Sequence, residues 1–392
     1  MNRRNFIKTT GLASGTLFVP QLFAKSPFAF ANPANDSRIL VVIQWSGGND
    51  GLNTVVPFRN DMYYKNRPKI ALKRDELLPL TDELALHPKL DIIKKLWDNG
   101  EVAVLENVGY PEPDRSHFRS MDIWHSASDS DEYFNTGWLG RWLDQGRVAS
   151  SAIEMDDSLS LVMKGELQKG LAIRNIDAAK KLAAIGYHIA MDIEPHEHDQ
   201  ISYLRNTLLE GTQGIEYVHS QSKKFASKEI YPATELGKQL KSIAELILSG
   251  CTTRVYYVTL GGFDTHAIQP FTQNTLFNQY SQAVNSFRND LIRGNRWKDV
   301  VVLTFSEFGR RVKENAGKGT DHGTAGVSFL FGGNIKNAGL YGGLPDLENL
   351  QDGDLTHRLD FRQVYASIIE EWMKEDSEKL LFDKFSPLRV FV

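Results

Sequence analysis

Four short stretches of this chain place acids and imidazoles among glycines: GGNDG ending at Gly51, GGFDTH ending at His266, SEFGR ending at Arg310, and DHG starting at Asp321. Carboxylate and imidazole together form a donor set that suits Zn, Mn or Fe better than Ca or Mg. Glycine beside a ligand lets backbone and side chains crowd together. Asp50, Asp264, His266, Glu307 and His322 are therefore the candidate ligands of a divalent metal centre of one or two ions. Any one of these residues alone reads as an ordinary polar loop residue. Their recurrence at the same kind of place is what points to metal.

That place is the end of an apolar run. Residues 38–45 (RILVVIQW) read as a buried strand running into Asp50, TRVYYVTL runs into Asp264 and His266, and KDVVVLTF runs into Glu307. His322 follows a glycine-bearing loop, and GVSFLFGGN after it reads as a further strand. Amphipathic helices lie between these runs, over ELGKQLKSIAELILSG, NTLFNQYSQAVNSFRNDLIRG and DFRQVYASIIEEWM. This alternation predicts an α/β fold: a doubly wound, mostly parallel sheet with helices on both faces. Open parallel sheets gather their chemistry beyond the carboxyl ends of the strands.

A second group of residues lies in RSHFRSMDIWHSA. Ser116 stands just inside an expected helix start, where backbone amides favour an anionic oxygen, and it is the candidate nucleophile; the plain alternative is a helix cap. His117 is a candidate metal ligand or proton donor, and Arg310, with Arg115 and Arg119, a candidate clamp for an anionic oxygen. His125 lies eight residues beyond His117, and His87 precedes Pro88. From about residue 146 to 236 the pattern changes to charged helical segments, which reads as a cap or helical insert. His196 and His198 lie there in a hydrophilic run that reads as a solvated loop.

The first 31 residues differ from the rest. A basic head with Arg3, Arg4 and Lys8, an apolar stretch and Ala29-Phe30-Ala31 form the three-part layout of an export signal. RRNFIK resembles the twin-arginine motif, with Phe6 and Lys8 at the expected offsets. The twin-arginine translocase is then the expected export partner, and the periplasm or the exterior the expected destination. Without residues 1–31, 41 basic residues remain against 49 acidic ones, a net of −8. That surface gives no support to nucleic-acid binding. No other segment is long and apolar enough to span a membrane, and the single cysteine, Cys251, excludes an internal disulfide.

Taken together, GGNDGLNTVVPF, LHPKL, SHFRSMDIWHSA, TGWLGRWLD, GGFDTH, TFSEFGRR, DHGTAG and DFRQVYASIIEEW resemble the DUF1501 family along nearly the whole chain after residue 31. The resemblance implies an alkaline phosphatase-like core, a superfamily whose usual site holds two divalent metals and a Ser, Thr or modified Cys nucleophile. It implies Asp50 as ligand of one metal and Asp264 and His266 as ligands of the other, though relatives space that pair as D-x-x-x-H. Glu307-Phe308 stands where relatives have Asp-His, and His322 then matches the final metal-binding histidine; a second alignment takes Asp321-His322 as that pair. Phe308 cannot ligate, so one site loses a donor: either His117 or His87 supplies it from elsewhere, or only one metal binds tightly. No C/S-x-P-x-R stretch is present, which argues against an ordinary formylglycine sulfatase. The expected activity is metal-dependent hydrolysis of a phosphate or sulfate ester. The alternative is a non-catalytic periplasmic module that keeps the fold and binds a partner or an anionic polymer.

Overall fold

The computed structural model of the chain describes residues 37–194 and 200–392. The export signal expected over residues 1–31 and the pair His196 and His198 lie outside the described residues.

Among the described residues twelve strands form two sheets: β1 (Ile39–Ser46), β2 (Val55–Val56), β3 (Leu78–Pro79), β4 (Ala85–Leu86), β5 (Val102–Gly109), β6 (Ala152–Glu154), β7 (Leu171–Ala172), β8 (Val255–Gly261), β9 (Val300–Phe305), β10 (Gly326–Gly332), β11 (Gly339–Tyr341) and β12 (Leu359–Asp360). The central sheet runs β11-β5-β10-β9-β1-β8-β6-β7, with β12 also on β5, and β2-β4-β3 form a small separate sheet. In the central sheet only β10 runs against its neighbours, β5 and β9; every other pair is parallel. The expected α/β fold with a mostly parallel sheet is the observed one.

β1 explains why both faces are covered. Ile39, Val41, Ile43 and Trp45 enter one apolar cluster, and Leu40 and Val42 enter the other. A strand buried on both faces needs the unbroken apolar run that ILVVIQW supplies. The first cluster takes the helices Asp91–Asp98, Glu235–Leu248 and Gln269–Arg293; the second takes His117–Ser126, Trp138–Leu143 and Phe361–Ala366. The segment read as a cap or insert contributes two things. Strands β6 and β7 extend the central sheet, with β7 at its edge, and the helices Ile176–Met191 and Gln200–Ser222 pack on each other. Among the described residues no helix is long and apolar enough to cross a membrane.

The register fixes where the chemistry gathers. Ser46 of β1 lies opposite Gly261 of β8, and Gln44 opposite Phe305 of β9, so Asp50, Asp264 and Glu307 all leave the same sheet edge. β10 pairs antiparallel to β9, with Phe329 opposite Thr304 and Gly332 opposite Val301. It therefore starts at the edge where the others end, and His322, four residues before it, arrives there too. β5 also ends at that edge, which carries the following loop and His117 to the same place.

Candidate metal centre

Two glycines make the close approach of these loops feasible. Gly47 has φ +122°, and a Cβ on it would lie 2.3 Å from the Asp264 nitrogen. Gly48 has φ +71°, and a Cβ there would lie 2.1 Å from the Phe308 ring. Larger residues would meet both a backbone penalty and a clash.

Asp264 is the hub. Its Oδ1 lies 2.7 Å from Arg310 Nη2, 3.0 Å from His266 Nε2, 3.2 Å from His322 Nε2 and 3.6 Å from His117 Nε2. Burial alone pushes the Asp264 pKa up, but the hydrogen bond and positive charge of Arg310 lead the influences that bring it below the ordinary carboxylate value. The carboxylate is ionised at any physiological pH.

Each of the three imidazoles is held from behind through Nδ1. His117 Nδ1 lies 2.9 Å from Glu307 Oε1, His266 Nδ1 lies 3.1 Å from Asp321 Oδ1, and His322 Nδ1 lies 2.8 Å from the Arg115 carbonyl oxygen. A carbonyl and an ionised carboxylate accept only, so each Nδ1 carries the hydrogen. In the neutral rings the lone pairs then sit on the three Nε2 atoms, which converge with Asp264 Oδ1. His266 Nε2 and His322 Nε2 are 3.0 Å apart, and His117 Nε2 is buried with no hydrogen-bond partner. Bonds of about 2.0–2.2 Å in a tetrahedral shell separate neighbouring ligand atoms by roughly 3.3–3.6 Å. The ligand atoms of His117, Asp264 and His322 all lie within 4.8 Å of one another, and the contacts of His266 fall among them. Three imidazoles with hydrogen-bonded Nδ1 atoms and one carboxylate fit a transition-metal ion, with the supporting groups that such ligands usually have.

The sequence-derived candidates separate in space. Asp264, His266 and His322 come together, and His117 joins them. Glu307, expected as a ligand, stands behind His117 instead: its Oε1 also accepts the Gly47 N–H at 2.8 Å, and its Oε2 accepts the Ser306 hydroxyl at 3.2 Å. Its side chain is 1% exposed, and its hydrogen bonds raise the His117 pKa. Asp50, also expected as a ligand, turns to Arg67 at 2.5 Å and to Gln269, both buried. Arg310, expected as a substrate clamp, is fully enclosed. Its Nε donates to the Gly48 carbonyl at 2.6 Å, its Nη1 to that of Thr320 at 2.9 Å, and its Nη2 to those of Gly47 and Phe263 as well as to Asp264. With every arm engaged, it positions the loops and has no face for a substrate.

Arg115 pairs with Asp354, and Arg119 donates to the carbonyls of Asp129, Ser130 and Glu132. His87 packs on Phe277, and burial takes its pKa down to about 4. His125 is buried, with its Nε2 3.2 Å from the Tyr257 hydroxyl, and is not part of the ligand group. Phe308 has its ring centroid 4.9 Å from that of His117 and 4.8 Å from that of His322, and so walls the centre on its inner side. Ser116 is exposed and is the N-cap of the helix His117–Ser126, yet its side chain makes no capping hydrogen bond. Among the described residues its hydroxyl makes no hydrogen bond.

The support residues Arg67, Gln269, Asp321 and Asn315 did not stand out as such in the sequence. Asn315 donates to Asp321 Oδ1 at 3.1 Å and to the His266 carbonyl at 3.0 Å. Only Asp321, adjacent to His322, carried a readable signal.

A mostly parallel α/β sheet with a cluster of three histidines and one aspartate at its carboxyl edge defines the class of protein. Residues 37–380 match the DUF1501 family, described as a protein of unknown function, and the chain belongs to it. No curated protein sequence matches the chain closely enough to count as a relative. Solved structures similar to it include the lipoteichoic acid synthase LtaP from Listeria monocytogenes (10% identity, 78% of this chain and 68% of that one, TM-score 0.35). A protein in the alkaline phosphatase superfamily from Vibrio parahaemolyticus is similar at 10% identity over 78% of this chain and 62% of that one, TM-score 0.36. The alkaline phosphatase from the Antarctic bacterium TAB5 is similar at 8% identity over 78% of this chain and 94% of that one, TM-score 0.30.

Proposed function

We propose that this chain is an exported, metal-dependent hydrolase of a phosphate or sulfate ester, with its metal held by His117, Asp264, His266 and His322. The observation that carries the reading is the 3.0 Å approach of His266 Nε2 to His322 Nε2, with both Nδ1 hydrogens directed elsewhere. With both rings neutral, two lone pairs face each other there, and a cation between them relieves the repulsion. A bound transition-metal ion would polarise a phosphoryl or sulfuryl oxygen. The chain's own groups supply the rest. Arg310 and Glu307 hold Asp264 and His117 in place. Ser116, next to His117 at a helix N-terminus, offers a free hydroxyl where backbone amides favour an anionic group. Its Oγ forms the new bond to phosphorus or sulfur as the bond to the leaving oxygen breaks, its proton passes to solvent, and water then releases the acid.

The cluster is open to solvent on one side: the Asp264 and His266 side chains are 50% and 46% exposed. An open centre suits a reacting or binding site better than a closed structural one. A second reading, a non-catalytic anion-binding module, is favoured by Phe308 standing in the wall where a further ligand would be needed. Elemental analysis of the purified chain, followed by cobalt substitution and its visible absorption, tests the metal reading. Bound metal with a low-symmetry cobalt spectrum is expected. A chain that binds none after reconstitution rules the hydrolase reading out.

A further inference from the structure

We propose that the chain holds one divalent ion and not two, and that the buried Arg67 guanidinium is the fixed cation at the strand end where the family resemblance implies a second ion. This rests on the metal reading above. The residues that would serve a second ion do not fit one. Asp50 Oδ2 is paired with Arg67 Nη1 at 2.5 Å, and Gln269 Nε2 donates to the same oxygen. Arg67 is held there by further bonds, to Asn53 Oδ1 at 3.0 Å, the Arg311 carbonyl at 2.9 Å and the Val312 carbonyl at 2.8 Å. It is 0% exposed, so it cannot swing away to admit an ion. Asp50 Oδ1 is buried without a hydrogen-bond partner, but among the described residues only His117, Asp264 and His322 form a group of ligand atoms dense enough for a metal ion. Glu307 already accepts from Gly47, Ser306 and His117, and Phe308 has no donor atom.

Charge points the same way. Buried carboxylates need nearby cations. Asp50 has Arg67. Asp264, Glu307 and Asp321 surround the histidine cluster, and Arg310 with one divalent ion matches their three negative charges. A second divalent ion would leave two positive charges unmatched among these groups. Asp50 is then the counter-ion of Arg67.

The test is metal content. The full chain is saturated with zinc, desalted and measured by mass spectrometry of the metal, beside Asp264→Asn and the charge-neutral double variant Asp50→Asn/Arg67→Gln. We expect about one zinc per chain in the wild type, about one in the folded double variant, and a clear loss in Asp264→Asn. Two ions in the wild type would overturn the one-ion inference and leave the metal reading intact; none would overturn both. Loss of the ion from a folded double variant would make Asp50 a ligand and also overturn it. Should the double variant not fold, anomalous scattering from zinc-loaded wild-type crystals decides. One peak bonded to Asp264 and the histidines is expected, and a second peak at Asp50 refutes the proposal.

Discussion

His117 and Glu307 form a pair in which the carboxylate fixes the imidazole: Nδ1 meets Oε1 at 2.9 Å, and the Nε2 opposite is left buried and without a partner. The same oxygen accepts the Gly47 amide, which ties the tip of β9 to the tip of β1. The pair connects sheet geometry to ligand direction.

Glu307→Gln keeps the shape of this pair and removes its charge. Metal affinity, measured by competition with a chromophoric chelator, should fall by about 10–100-fold, the usual effect of altering a group behind a metal-binding histidine. Circular dichroism should show the fold retained. Unchanged affinity would mean that Glu307 does not act through His117.

Ser116→Ala should leave the helix intact, because the side chain makes no capping bond; the melting curve should shift by no more than an ordinary surface change, about 0.5 kcal/mol. Turnover of a phosphate- and sulfate-ester panel should fall roughly a thousand-fold or more, as loss of a covalent nucleophile does. Near-normal turnover in the folded variant removes Ser116 from the chemistry.

Stability should be greatest in a window below neutrality, set by two buried groups away from the metal. Burial raises the Glu154 pKa from 4.5 to about 7, although Ser160 donates to it. Above pH 4.5 the unfolded chain loses this proton and the folded chain keeps it, so folding stability falls as pH rises through 4.5 to about 7. Burial lowers the His125 pKa from 6.5 to about 3, so the unfolded chain alone takes up that proton and stability also falls as pH drops below 6.5. Glu154→Gln should therefore be more stable than wild type in urea at pH 8, by up to about 3 kcal/mol, and close to it at pH 4. A difference that does not change with pH would mean Glu154 is not the titrating group.

Export is tested at Arg3 and Arg4. With both changed to Lys, a precursor should accumulate in the cytoplasm and the periplasmic fraction should lose the protein. Normal processing of that variant rules out twin-arginine recognition.

The readable part of the site was what local composition controls. Asp264, His266 and His322 each lie beside glycines at the end or start of an apolar run, and those runs became β8 and β10. His117 was readable as a possible ligand, but the place of Glu307 behind it was not, because it depends on which of two neighbours at the sheet edge is enclosed. Glu307 follows β9 closely and stays enclosed, while His117 comes from a helix start and reaches outward. The Asp50–Arg67 pair was hidden for another reason. Arg67 sits between Asn66 and Pro68 in a polar stretch that carries no periodic pattern, and its burial arises from carbonyls of Arg311 and Val312, more than 240 residues away. The reversed direction of β10 was likewise invisible, since apolar runs read alike in both directions.

Phe308 gives the centre a direction. Its ring closes the inner side of His117 and His322, while Asp264 and His266 remain half open to water. Traffic to the three imidazoles is therefore one-sided: whatever arrives must leave by the door it entered. Such a door needs no tunnel, so a group protruding from a much larger molecule can be presented to it, and the bulk of that molecule need never pass inside.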